Sequence, residues 1–109
     1  MRPWRLAEQN LARVREADYQ VAVLPLGAVE PHNLHLPYGT DLFESEVVAD
    51  RVCAAAWDAG ARVVQLPAIP YGTERNLAGF PLALNLDPST LQAVLRDLVE
   101  SLDRTGIHK

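Results

Sequence analysis

The sequence predicts an α/β protein built on a mostly parallel sheet, and three observations carry that prediction. Residues 21–26 and the Val-rich stretch 62–66 read as short strands. Longer segments of helical periodicity alternate with them, the order that lays helices on the faces of a parallel sheet. The first run is apolar without alternation, as expected of a strand covered on both faces.

Each element has its own local reasons. Residues 5–17 form a predicted first helix, with Leu6, Leu11, Val14 and Ala17 near helical spacing. Gly27 closes the strand at 21–26. From Asp41 the pattern turns helical again. Ser45, Val48, Val52, Ala55, Ala56 and Ala59 fall at steps of three and four, and Gly60 supplies the stop. Thr40 or Asp41 is placed to cap this helix, and Asp41 with Glu44 has capping-box spacing. Residues 67–86 read as loop, punctuated by Pro70, Gly72, Gly79 and Pro81, with a brief extended piece at 82–86. Asp87 and Pro88 open the last helix, where a missing N–H costs nothing. Its apolar face is Leu91, Val94, Leu95, Leu98, Val99 and Leu102; Glu100 and Arg104 are spaced to pair, and Gly106 ends it. Two principal strands for three helices describe an incomplete domain over residues 1–109, one expected to break off after its third helix.

Composition narrows the function. Hydrophobic residues make up 49% and charged residues 22% of the 109 residues, a globular balance, and the net charge is −4. The basic residues are scattered, so no stripe exists to grip a nucleic acid. The apolar run at 21–26 is far too short to span a bilayer, and no signal-peptide pattern opens the chain. A cytoplasmic protein without nucleic-acid or membrane partners is expected. Cys53, the only cysteine, lies in an Ala-rich helical stretch and reads as a small buried apolar side chain rather than a reactive thiol.

Chemistry concentrates after the first strand. In open α/β sheets ligands bind beyond the carboxyl ends of strands, and residues 27–41 occupy that position. Glu30, His32, His35 and Asp41 place two carboxylates and two imidazoles within twelve residues. Glu30 and His32 are two apart, so an extended backbone sends both side chains to one face. Asp41, at the start of the next helix, can fold back toward them. Mixed carboxylate and imidazole ligands suit Zn²⁺, Mn²⁺ or Fe²⁺ and tolerate Mg²⁺. The plainer alternative is a surface loop whose Asp41 does no more than cap a helix. Tyr38 and Tyr71 lie in loops at the same edge. Glu74 and Arg75 are placed either to contact substrate or a neighbouring subunit, or to form a solvated ion pair. Trp57, near a helix end, reads as a packing residue.

The run Glu30-x-His32-x-x-His35-Leu36-Pro37-x-x-Thr40-Asp41, after an apolar strand ending Leu24-Pro25-Leu26-Gly27, resembles the signature of the creatininase (creatinine amidohydrolase) family. Phe80-Pro81 and 85–90 follow in the family's order, and 106–109 resembles the lead-in to its next strand. The resemblance implies a three-layer α/β/α domain, a homo-oligomer, and a metal-dependent hydrolase of non-peptide C–N bonds. The substrate would be a small cyclic amide, a formamide or a related molecule, and two divalent ions, zinc or manganese, would serve each complete site. By motif position, Glu30 would bind one ion and His32 the other, with Asp41 as the bridging and catalytic carboxylate. His35 and Thr40 would support the loop from behind. The family's substrate contacts lie largely beyond Lys109, so Tyr38, Tyr71 and Glu74 are expected substrate contacts by their loop positions alone. A further His and a further acidic ligand would come from sequence beyond Lys109. The chain departs from the pattern in four places. Asn33 stands where the family usually has glycine, Pro31 replaces a polar residue, and Leu82-Ala83 replaces a Gly-Thr pair after Phe-Pro. A histidine often found between Gly72 and Phe80 is also missing. A different class remains open, a catalytically inactive remnant or interaction module that associates with another chain through an unfinished sheet.

Overall fold

The computed structural model describes residues 1–109. In chain order it contains a 3-10 turn (Leu6–Glu8), α1 (Leu11–Ala17), β1 (Val21–Val23), α2 (Thr40–Asp58), β2 (Val63–Gln65), a second 3-10 turn (Arg75–Leu77) and α3 (Pro88–Arg104). β1 and β2 run parallel, with Val21 opposite Val63 and Val23 opposite Gln65. The expected α/β/α arrangement around an open parallel sheet is therefore present. Both outer edges are partly dressed: Gln65 N donates to Trp4 O at 2.6 Å, and Ala22 N donates to Lys109 O at 2.8 Å.

Past the ladder the two strands stay in step. Ile69 N donates to Pro25 O at 3.1 Å and Gly27 N to Ile69 O at 2.8 Å. Two loops, 27–39 and 70–86, consequently leave the sheet at the same end. They are laced together, Leu84 N donating to Val29 O at 3.1 Å and Leu86 N to Gly72 O at 2.9 Å. The extended piece expected at 82–86 amounts to isolated bridges, Val29 with Leu84 and Gly72 with Asn85.

Only seven of the 109 residues are buried, so where they lie decides where the core is. Ala49 and Cys53 from α2 meet Val63 and Val64 from β2. Small side chains on the helix let it come close, and Val64 at 2% exposure contributes roughly 2 kcal/mol of transfer free energy. Cys53 is fully buried, as expected, and burial pushes its thiol pKa up. Trp57 packs under the Arg62 guanidinium, 4.8 Å from the ring centre, and beside Tyr19.

Several local expectations differ from the structure. The first helix is two pieces, because the Asn10 side chain accepts from Arg13 N and starts α1 afresh. β1 is only half-buried. α2 turns a different face inward: Leu42, Ala49 and Cys53 point to the sheet side, while Val48 and Val52 are 53% and 55% exposed. Apolar side chains are spread over more than one of its faces, so periodicity alone selects none. Gly27 does, since a Cβ there would sit 2.9 Å from Leu42 Cα. Neither Thr40 nor Asp41 caps α2; Gly39 holds the N-cap position without a side-chain bond. On α3, Arg104 donates to Ser101 Oγ at 3.2 Å instead of pairing with Glu100.

Candidate metal centre

Glu30, His32 and Asp41 converge at the carboxyl end of β1. One ligand atom from each lies within 4.8 Å of the others. His32 stands between the two acids, its Nε2 3.1 Å from Asp41 Oδ2 and 3.9 Å from Glu30 Oε1. All three side chains are partly shielded, at 20% exposure for Glu30, 23% for His32 and 36% for Asp41.

The backbone explains the convergence. Asn33 adopts a left-handed conformation at φ 58°, which reverses the chain directly after His32. Asparagine tolerates this region because its short amide bonds locally, and here Oδ1 accepts from Leu34 N at 2.8 Å. Asn33 therefore makes the turn that a glycine makes freely. Thr40 Oγ1 donates to Pro37 O at 2.6 Å, which tightens the entry to α2 and leaves Asp41 in its first turn. Helix N-termini favour negative charge, and the first turn of α2 sets the Asp41 carboxylate where His32 meets it.

The electrostatics are those of a site short of positive charge. Burial first, then the hydrogen bond and charge of Asp41 and the charge of Glu74, raise the Glu30 carboxyl to about pKa 6; His32 opposes this. Acidic groups crowded in this way are relieved by a cation. Carboxylate oxygen and imidazole nitrogen suit a borderline divalent ion.

The remaining sequence-identified residues fall nearby but outside the cluster. Tyr38 donates from its hydroxyl to Pro81 O at 2.7 Å, tying the 27–39 loop to the 70–86 loop. Tyr71 is 45% exposed. His35 is exposed and forms no side-chain hydrogen bond, so the supporting bond expected of it is not made here. Glu74 forms no solvated ion pair with Arg75: it is 1% exposed, and Arg75 turns instead to Asp87 at 3.0 Å. Its burial was illegible in the sequence, where the adjacent arginine suggests a surface pair.

Fold and cluster together define an α/β/α chain that groups three side chains able to hold a metal ion beyond the end of β1. The comparisons specify it further. The family model described as creatininase, creatinine amidohydrolase, matches residues 6–109, and the chain belongs to that family. A creatinine amidohydrolase of Pseudomonas putida is 33% identical over 103 residues, covering 90% of this chain and 37% of its own length. A Bacteroides fragilis protein provisionally named as a creatinine amidohydrolase superposes with a TM-score of 0.82 at 33% identity, over 98% of this chain and 43% of that one. A manganese form of creatininase superposes at 0.81 with 27% identity, over 95% and 42%. The chain thus spans well under half the length of these relatives.

Proposed function

We propose that this chain forms the cation-binding part of a creatininase-type amidohydrolase that cleaves a C–N bond in a small cyclic amide, a formamide or a related substrate. The observation that carries the proposal is the approach of Glu30, His32 and Asp41 ligand atoms to within 4.8 Å. Glu30 would hold one ion and His32 another, with Asp41 between them. Zinc or manganese fits this donor set. When bound, such ions supply an acidified water near neutral pH and polarise the scissile carbonyl. The chain's own part is to fix the carboxylates and imidazole before the ions arrive. Thr40 and Asn33 shape the loop for this, and Tyr38 and Tyr71 are placed at its rim toward substrate. Further ligands would come from sequence outside these residues, and a cytoplasmic homo-oligomer is the expected form. No helix is long and apolar enough to cross a membrane.

A second reading, an interaction module, is favoured by one observation. An apolar groove of about 760 Å³ separates α3 from the sheet, walled by Leu24, Val64, Ile69, Val94, Leu98 and Ile107. One experiment separates the two. Bound divalent metal is measured per chain, on protein purified without a chelating tag, beside a Glu30/His32/Asp41 triple-alanine variant. Metal carried by the wild type and lost in the variant is the expected result. A folded wild type that carries none would sink the metal-centre proposal and leave the module.

A further inference from the structure

Glu74 is the most deeply buried acidic residue in the chain, and both of its carboxylate oxygens lack a hydrogen-bond partner. A buried carboxylate without a hydrogen-bond partner is costly, so a partner for it is called for. The loop that carries it does not. Arg75 Nη2 donates to Asp87 Oδ1 at 3.0 Å. The Asn85 amide nitrogen is directed to the same oxygen at 3.3 Å, while Asn85 Oδ1 accepts from Glu74 N at 2.9 Å. Arg75 and Asn85 are both committed to Asp87, and the Glu74 backbone is pinned while its carboxylate oxygens have no partner.

The position of that charge is set by packing. A Cβ on Gly72 would lie 2.9 Å from Gly27 O, so the base of the 72–85 loop fits against the end of β1 with no space between. Glu74 follows two residues later; its N donates to Asn85 Oδ1, and the N of the adjacent Leu84 donates to Val29 O, directly before Glu30. Glu74 stands outside the group whose ligand atoms lie within 4.8 Å of one another.

We infer that the Glu74 carboxylate is the buried counter-charge of the cation held at Glu30, His32 and Asp41, contributed by a second loop and acting on the hydrated ion. The inference rests on the metal-centre proposal. It makes the centre more acidic than its three-residue motif shows, and so selects a doubly charged cation over a neutral occupant. Glu74 is then a positioning residue for the ion.

The test is a calorimetric Mn²⁺ titration of the whole 109-residue chain as wild type, Glu74→Gln and Asp41→Ala, with thermal melts of each in the presence and absence of Mn²⁺. Glu74→Gln keeps shape and removes charge. It is expected to weaken Mn²⁺ binding about tenfold or more, and to raise the melting temperature of the metal-free protein while shrinking the rise that Mn²⁺ produces. Unchanged affinity in Glu74→Gln, with binding lost in Asp41→Ala, would overturn this inference and leave the centre standing. A metal-free protein destabilised by Glu74→Gln would also overturn it, by showing a purely structural role. Absence of Mn²⁺ binding by the wild type would remove both. Glu74→Met, similar in size and without polar atoms, repeats the measurement should glutamine disturb the fold.

Discussion

α2 and α3 are nearly equal in length, 19 and 17 residues, and the structure treats them oppositely. α3 has the cleaner amphipathic sequence, yet none of its residues is buried. Leu98 and Leu102 line the groove, and they, Leu91 and Leu95 are only half-covered. α2 has a weaker apolar stripe, yet it seats Ala49 and Cys53 against β2 and carries Asp41 to Glu30 and His32. A strong stripe records that a helix has a preferred side. How closely it docks depends on what stands opposite, and against α2 stand the small contacts of Gly27 and β2.

The contrast predicts where substitutions act. The largest effect belongs to the first turn of α2. Asp41→Ala should lower Mn²⁺ affinity more than about 100-fold without lowering the melting temperature, as read by calorimetry and thermal denaturation. Binding that survives would remove Asp41 from the centre. Next, Gly27→Ala should push Leu42 and the start of α2 off the strand end. A loss of about 1–3 kcal/mol is expected by urea denaturation, together with weaker Mn²⁺ binding.

Third, Val64→Ala on the α2 side should cost about 2 kcal/mol, while Leu98→Ala on α3 costs less than about 1 kcal/mol despite the larger truncation. Equal costs would erase the contrast. The smallest effect concerns the segment that strengthens the α2 side. Arg2 bonds both Glu8 and Asp50, and Trp4 Nε1 donates to Asp50 Oδ1 at 2.9 Å. Its bonds to Arg2 hold the Glu8 carboxyl down to about pKa 2. Because the folded pKa is depressed, its contribution is present above about pH 4.5 and is lost as the pH falls through about 2. Trp4 fluorescence should report that release, and Glu8→Gln should flatten the acid limb without altering stability differences between pH 6 and 8.

The same contrast explains what was legible in the residues. Both strands, both long helices and the cluster of Glu30, His32 and Asp41 follow from apolar runs, stop signals and ligand-type residues crowded beyond a strand. The inward face of α2 did not follow, because Val48 and Val52 carry the same apolar signal as Ala49 and Cys53. Asp41 suggested a cap, since capping and metal binding ask for the same residue at a helix start; in the structure it makes no cap bond and meets His32. Glu74 was least legible. Its burial arises from the fit of Gly72 on Gly27, a contact between loops 45 residues apart that no local pattern encodes.

Two of the departures from the creatininase pattern share a property that letters conceal. Asn33 and Leu82, which stand where that pattern usually has glycine, have φ values of 58° and 55°. Both non-glycine residues thus sit in the left-handed region. At Asn33 the side chain helps to sustain it. At Leu82, which is 76% exposed, nothing offsets the roughly 1–2 kcal/mol that a branched residue incurs there. At both positions the letters depart from the pattern while the backbone keeps to a region that glycine enters freely.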